Sequence, residues 1–173
     1  MNHDSYSDTY ISDILTKNRT IAMVGASPTP SRPSYFAMKY LKEKGFRVIP
    51  VNPGQQGKTI LGETVYGSLA DIKERVDIVD IFRSSKAALD ITREAIAIGA
   101  RVVWMQLGVR NDEAARIAEG TGLQVVMNRC PKIEYGRLSG ELSWAGVNSR
   151  RVSSKRPLLG PKGVQHRLIA TKA

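Results

Sequence analysis

The chain contains 173 residues, of which 42% are hydrophobic, and its formal net charge at pH 7 is +10. A chain of this length can bury a core large enough for one stable domain, which excludes dependence on disulfide staples. The single cysteine, Cys130, also excludes an intrachain disulfide bond. No apolar stretch approaches the roughly 18 to 20 residues that span a bilayer, and the first residues lack a hydrophobic signal region. We therefore expect a cytoplasmic protein that does not enter a membrane.

The positive charge is concentrated at one end of the chain. Residues 146–173 contain seven Lys or Arg and no Asp or Glu, which leaves a net charge of +3 for the remainder. A segment of Ser, Gly, Pro and cations has little apolar surface to bury. The composition therefore predicts a folded domain over residues 1–148 and a basic, disordered tail over residues 149–173.

The first part of the chain alternates helical and strand patterns. It predicts a helix, a strand, a helix and a strand at residues 7–17, 21–24, 33–44 and 47–51. Ser7 is placed to cap the first helix, and Pro33 suits the first turn of the second, where its missing N–H is harmless. We expect the second helix to bury Phe36, Ala37, Tyr40 and Leu41.

The alternation continues through the rest of the predicted domain. Strands are predicted at residues 77–82, 101–106 and 122–127, with helices at residues 85–98 and after Asn111. Repeated strand and helix units indicate a Rossmann-like α/β fold, a doubly wound, mainly parallel five-stranded sheet with helices on both faces. Ligands of such sheets bind beyond the carboxyl ends of the strands.

Two glycine motifs for nucleotides are incomplete. After Gly25, the later positions of the dinucleotide pattern G-x-G-x-x-G hold serines and prolines, and the second strand ends in Asn52 where an acidic residue would hold a ribose. Residues 54–59 end like a phosphate loop, but its first glycine position is Asn52 and no helical pattern follows. The sequence therefore disfavours both an NAD site and a nucleoside triphosphate site.

The predicted strand ends are rich in hydroxyl, amide and cationic side chains. These are Ser27, Arg32, Ser34, Asn52, Gln55, Lys58, Arg83, Ser84, Lys86, Gln106, Arg110, Asn128, Arg129 and Lys132. Many donors and little acid suit a polyanion that carries several phosphates. They do not suit a metal centre, since the two histidines, His3 and His166, lie near opposite termini.

Several of these strand-end residues allow two interpretations. Arg32 and Arg83 directly follow strand ends, and either contact phosphate or are solvated surface arginines. We expect Ser27 to be a turn residue that offers its backbone N–H, because no G-x-S-x-G elbow surrounds it. Cys130 is expected to be buried and inert, and a thiol activated by its cationic neighbours is the alternative.

Seven segments then form a recognisable collinear set. They read VGAS, RPS, VIPVNP, ILGE, VDIVDIFR, VWMQLG and RCPKIE, at residues 24–27, 32–34, 48–53, 60–63, 76–83, 103–108 and 129–134. Together they closely resemble the small single-domain CoA-binding proteins, which are similar to the CoA-binding N-terminal domain of the succinyl-CoA synthetase alpha subunit. The resemblance covers about residues 10 to 150. It does not imply ligase chemistry, because the phosphorylated histidine of the synthetase belongs to a second domain.

The resemblance implies CoA or an acyl-CoA as the ligand, lying across the carboxyl edge of the sheet. It assigns the diphosphate to Gly25, Ala26, Ser27 and Pro28, and the adenosine end to Asn52, Pro53 and Gln55. It also implies that Phe82, Arg83 and Ser84 line the site at the next strand end. The residues that it implies for the pantetheine arm are Met105, Gln106 and Leu107. Arg32 and Ser34 are added to the predicted binding residues because they belong to the polar and cationic side chains at the strand ends.

Three functions therefore follow from the sequence. The leading hypothesis is non-catalytic binding of CoA or an acyl-CoA, with neither a catalytic residue nor a metal ligand predicted. One alternative is an enzyme acting on the CoA thiol or an acyl-CoA through Cys130, for example by a mixed disulfide. Another is weak nucleic-acid binding through the basic tail, which carries no aromatic platform for stacking. A homo-oligomer is compatible with all three.

Overall fold

The computed structural model describes residues 1–139. The predicted tail and the end of the predicted domain lie outside the described residues. Contacts divide the chain into two units, Met1–Lys132 and Ile133–Ala173. The first unit contains the parallel sheet. In the described part of the second unit, residues 133–138 belong to the last helix, and Arg137 Nη2 donates to Glu134 Oε2 at 2.7 Å.

The strands and helices that the sequence predicted occur in the predicted order, and the structure adds two short strands and a last helix that were not predicted. The strands are β1 (Thr20–Val24), β2 (Arg47–Val51), β3 (Thr59–Ile60), β4 (Glu63–Thr64), β5 (Ile78–Ile81), β6 (Val102–Met105) and β7 (Gln124–Val126). The helices are α1 (Asp8–Lys17), α2 (Pro33–Glu43), α3 (Ala88–Ala97), α4 (Asp112–Gly120) and α5 (Pro131–Leu138). Five strands form one sheet in the order β2-β1-β5-β6-β7, and every neighbouring pair is parallel. The Rossmann-like α/β fold is therefore confirmed.

The two faces of the sheet carry different side chains because alternate residues of a strand point to opposite sides. On one face Val79 and Ile81 belong to a continuous apolar cluster that also includes residues of α3 and α4. Met23, Asp80 and Trp104 align across β1, β5 and β6 and point to the other face. The buried residues of α2 are not part of that cluster, which agrees with the right-handed crossover expected between β1 and β2 and with α2 on the second face.

Three sequence predictions need correction. Phe36 is 53% exposed, because the buried stripe of α2 consists of Ser34, Ala37, Met38 and Leu41. These four buried residues are spaced as i, i+3, i+4 and i+7 along the helix, and Phe36 does not belong to that series. Tyr40 is only partly buried for the same reason. Helix α3 begins at Ala88 and not near residue 85, because the preceding residues form a turn in which the Ala87 N–H donates to the Ser84 carbonyl.

The segment between β2 and β5 contains a feature that the sequence analysis missed. Strands β3 and β4 pair antiparallel as a hairpin. Leu61 and Gly62 connect them with positive φ angles of 49° and 82°. Strands of two residues are too short to leave a periodic pattern in the sequence.

At both edges of the sheet, outward backbone groups are hydrogen-bonded by tyrosine side chains or by loop backbone, and no further long strand is paired there in the described residues. At β7, the Tyr10 hydroxyl accepts from the Val125 N–H at 3.2 Å, and the Tyr6 hydroxyl accepts from the Met127 N–H at 2.7 Å. At β2, the Tyr66 N–H donates to the Pro50 carbonyl at 2.9 Å. That carbonyl lies on the outer side of β2, where proline has no N–H to offer.

Among residues 1–139, no helix combines the length and the apolar character needed to cross a bilayer.

Candidate functional site

The strand order reverses direction between β1 and β5. From β1 the chain passes to β2 on one side, and it later returns to place β5 on the other side. The two carboxyl ends therefore lead into loops that diverge, which opens a crevice at this switch point. The loop after β1 contains Gly25, Ala26, Ser27, Pro28 and Arg32, and the loop after β5 contains Phe82, Arg83 and Ser84.

Gly25 allows these two loops to start close together. Its φ is +92°, and a Cβ atom at this position would lie 2.5 Å from the Phe82 carbonyl oxygen. The Phe82 N–H donates to the Val24 carbonyl at 2.8 Å, which keeps the strand ends at hydrogen-bonding distance. Only glycine fits this approach without a shift of the backbone.

The loops that border the crevice contain backbone donors without a protein acceptor among residues 1–139. Within residues 1–139, the N–H groups of Ala26, Ser27, Arg83 and Ser84 donate to no protein acceptor. The Ser27 hydroxyl accepts from the Thr29 N–H at 3.2 Å, so Ser27 acts as the turn residue that the sequence predicted. Successive unpaired N–H groups form the type of concavity that binds anions.

Side chains hold the loop after β1 to the loop after β2. Asn52 Nδ2 donates to the Ala26 carbonyl at 2.8 Å, and Asn52 Oδ1 accepts from the Gly54 N–H at 3.0 Å. Both ends of this amide are thus engaged within the protein. Asn52 positions Ala26, which is a role that the sequence analysis did not foresee. Farther along the loop, Lys58 Nζ donates to Gln55 Oε1 at 3.1 Å.

The other strand ends are held together in a similar way. Ser85 Oγ accepts from the Arg110 N–H at 3.1 Å, which joins the loops after β5 and β6. Asn128 Oδ1 accepts from the Gly108 N–H at 2.8 Å, which joins the loops after β6 and β7. Asn128 has a φ of +53°, a conformation that asparagine tolerates well. In the described part of the chain, no side-chain hydrogen bond crosses between the loops after β1 and β5.

Three cations near the crevice have no acidic partner in the described residues. Arg32, Arg83 and Lys86 are exposed, and among residues 1–139 none of them forms an ion pair. Arg110, by contrast, pairs with Asp4 at 2.6 Å and with a second carboxylate. The positive charges of Arg32, Arg83 and Lys86 are therefore available to a ligand beside the switch point.

A buried polar pair lies behind this edge. Asp80 in β5 is fully buried, and Gln106 after β6 is 6% exposed. Gln106 Nε2 lies 2.9 Å from Asp80 Oδ1 and 3.1 Å from Oδ2. Burial raises the pKa of Asp80 to about 8, and the hydrogen bond from Gln106 opposes this shift. Sequence reasoning assigned no role to Asp80, although a single acidic residue inside an apolar strand was a usable signal.

The remaining predicted site residues differ in exposure. Leu107 is 54% exposed, whereas Met105 is fully buried in the apolar cluster and its side chain is not on the ligand-facing surface. Ser34 is buried in the first turn of α2, while Pro28 and Pro53 are exposed. Of the three residues that the resemblance assigned to the pantetheine arm, two therefore lie at or close to the edge.

The single thiol is buried, as predicted. Cys130 follows β7 and is 8% exposed. The carbonyl of the preceding residue, Arg129, accepts from Trp104 Nε1 at 2.8 Å, which ties this turn to the interior of the sheet. In the portion of the chain that the structure describes, no group of three His, Cys, Asp or Glu is arranged to hold a metal ion.

The donor set of the crevice fits a nucleotide that carries phosphates. Two arginines, one lysine and backbone N–H groups that have no acceptor in the described part of the chain supply directional donors and positive charge. The absence of a Cβ at Gly25 leaves the backbone open to close approach. CoA is compatible with this set, since it carries a diphosphate and a further phosphate.

Comparisons with known proteins identify relatives of this chain. A family model described as the CoA binding domain matches residues 19–136. The uncharacterized protein YneT of Bacillus subtilis (strain 168) is 34% identical over 125 residues, which cover 72% of this chain and 91% of the relative.

Solved structures show the same similarity. A hypothetical protein from Pyrococcus horikoshii OT3 is 41% identical with a TM-score of 0.75, over 81% of this chain and 97% of that chain. The dinucleotide-forming acetyl-coenzyme A synthetase 1 of Ca. Korarchaeum cryptofilum is 24% identical with a TM-score of 0.55, over 64% of this chain and 26% of that chain. This last similarity shows a shared fold.

Proposed function

This chain belongs to the CoA-binding domain family, and from that premise we propose that it binds CoA or an acyl-CoA at the carboxyl edge of its sheet without catalysing a reaction. Its membership confirms the resemblance carried by the seven sequence segments. One observation supports this particular edge: the loops beside the switch point between β1 and β5 contain backbone N–H groups and cations that have no partner within residues 1–139.

The proposed pose places the diphosphate at the loop after β1, where Ser27 is partly exposed and offers its N–H, whereas Ala26 is 1% exposed. Arg32 and Arg83 approach it from the two loops that border the crevice. Both arginines lack an acidic partner among residues 1–139, so a phosphate does not have to displace an existing ion pair. Charge-assisted hydrogen bonds from arginine to phosphate are stronger than neutral ones.

The buried thiol does not favour the catalytic alternative. Attack on a thioester requires an accessible thiolate, and Cys130 is 8% exposed. Nucleic-acid binding through the tail concerns residues outside the described part of the chain. A variant lacking residues 149–173 is expected to bind CoA as the full chain does, because no residue of the proposed pose lies in that segment.

Calorimetric titration with CoA tests the proposal. We expect saturable binding, with affinity lowered about tenfold by either Arg32→Ala or Arg83→Ala, as loss of one phosphate contact predicts. Arg75→Ala is the matched control, since Arg75 is an exposed arginine that precedes β5 and lies away from its carboxyl end. Absence of heat with CoA, or equal losses in all three variants, would contradict the proposal.

Titrations with related nucleotides then identify what is recognised. Dephospho-CoA separates the contribution of the 3′-phosphate from that of the diphosphate. NAD shares the diphosphate but has no pantetheine arm. Equal affinity for NAD and CoA would show that the crevice recognises only the diphosphate.

A further inference from the structure

The buried pair of Asp80 and Gln106 has a geometry that packing alone does not require. Asp80 lies between Met23 of β1 and Trp104 of β6 in the strand register, and all three are fully buried. Among residues 1–139, the Asp80 carboxyl has Gln106 as its hydrogen-bond partner and has no cation. A buried carboxyl with one neutral partner lowers the stability of the fold, so packing gives no reason for an aspartate at this position.

Gln106 connects this carboxyl to the edge of the sheet. Its Nε2 donates toward both Asp80 oxygens, so its other amide atom, Oε1, is turned away from Asp80. Within residues 1–139, Oε1 has no hydrogen-bond partner, and it is not among the fully buried unpaired atoms. Leu107, the next residue, is 54% exposed. Gln106 follows β6 at the carboxyl edge of the sheet, so one end of its amide contacts Asp80 and the other end has no protein partner among residues 1–139.

We propose that Asp80 is a positioning residue whose protonation state determines which end of the Gln106 amide is presented to the ligand. This inference rests on the proposed binding of CoA at the same edge. With Asp80 ionised, the carboxylate can only accept, so Nε2 is held inward and Oε1 is presented as an acceptor. With Asp80 protonated, its O–H can donate to Oε1, and the rotated amide then presents Nε2 as a donor.

The surroundings of Asp80 make this exchange accessible near neutral pH. Burial raises the pKa of Asp80 to about 8, and no charged side chain contributes to the shift. Strands β1 and β6 place Met23 and Trp104 beside it, and the buried residues of α1 and α2 are uncharged. The nearest acidic residue along the strand, Asp77, accepts from backbone N–H groups at the opposite end of β5.

The orientation in the structure determines the expected sign. Oε1 faces away from Asp80 and has no hydrogen-bond partner among residues 1–139, so a ligand N–H, such as an amide of the pantetheine arm, is the matching group. Binding then favours ionised Asp80, which loses its proton to the solvent as the complex forms. Affinity for CoA is therefore expected to increase as the pH rises through about 8.

The first test needs no ligand. In the full-length ¹⁵N-labelled protein, the Gln106 side-chain amide signals are identified as those missing from Gln106→Met. We expect them to shift between pH 6 and pH 9.5 with a midpoint near 8, and to stay constant in Asp80→Asn, which keeps the shape but cannot ionise. Wild-type signals that do not respond to pH would overturn the inference.

The second test measures the coupling to ligand. CoA is titrated calorimetrically at pH 6.5 and pH 8.5 into the wild type and Asp80→Asn. We expect the wild-type affinity to rise about fivefold relative to the variant, a change that follows from linkage and that a purely structural role would not produce. Equal pH profiles would overturn the coupling. No CoA binding by the wild type at either pH would overturn the proposed function instead, and the amide signals would then decide the role of Asp80 alone.

Discussion

Replacement of Gly25 by alanine tests how closely the two site loops must approach. The new Cβ would lie 2.5 Å from the Phe82 carbonyl oxygen and 3.0 Å from Arg83 Cδ. Contacts shorter than 3.0 Å are essentially absent at real Cβ atoms, so the two backbones must separate by roughly half an ångström. The positive φ adds strain of about 1–2 kcal/mol for any residue with a Cβ.

A matched control separates these two contributions. Gly57 also has a positive φ, of +77°, but a Cβ there would meet nothing within 4 Å. Gly57→Ala is therefore expected to lose about 1–2 kcal/mol of unfolding free energy from φ strain. Gly25→Ala is expected to lose a further 1–3 kcal/mol or so from the overlap.

Urea denaturation of both variants measures the difference, with midpoint and slope fitted separately. The same displacement moves the N–H groups of Ala26 and Ser27, so CoA affinity should fall in Gly25→Ala and stay unchanged in Gly57→Ala. Equal destabilisation of the two variants would refute the reasoning, because it would mean that the approach of the loops costs nothing.

Three further changes test other contacts. Asn52→Ala removes the hydrogen bond to the Ala26 carbonyl, and we expect about 1 kcal/mol lower stability in urea together with weaker CoA binding; unchanged binding would mean that the loop keeps its position without this bond. Asp80→Asn should change the pH dependence of stability. The folded-state pKa of about 8 lies above the ordinary value of 3.8, so the unfolded chain loses the proton first and wild-type stability declines as the pH rises from about 4 to about 8. Urea midpoints across that range should decline less in the variant. Tyr10→Phe removes the hydroxyl that accepts from the Val125 N–H, so we expect faster amide exchange at Val125 in the variant than in the wild type. Exchange that is unchanged or slower in the variant would contradict the role of Tyr10 at the edge.

The sequence was sufficient to predict the main elements of the fold. Short apolar runs bounded by turn residues are typical of buried strands, and all five predicted strands are present. The orientation of α2 was less accessible, because Phe36 is more hydrophobic than Ser34 and yet Ser34 is buried. Hydrophobicity predicts that a helix has a buried stripe, whereas the geometry of the neighbouring sheet decides which residues form it.

The site was predictable only as a set of strand ends. The positions after β1, β2, β5 and β6 could be named because parallel strands end at one edge. The partnership of Asp80 and Gln106 could not be read from the sequence, since it depends on β5 and β6 being neighbours and on both side chains reaching the same face. The engagement of both ends of the Asn52 amide likewise depends on the path of a loop.

The covered edges of the sheet restrict how copies of this chain could assemble. Tyrosine hydroxyls accept the outward N–H groups of β7, and the outer side of β2 contains a proline nitrogen and a carbonyl that is already paired. Neither border offers the row of free donors and acceptors on which an incoming strand could continue the sheet. If the protein forms a homo-oligomer, its subunits are therefore expected to meet through helices or loops and not through a shared, extended sheet.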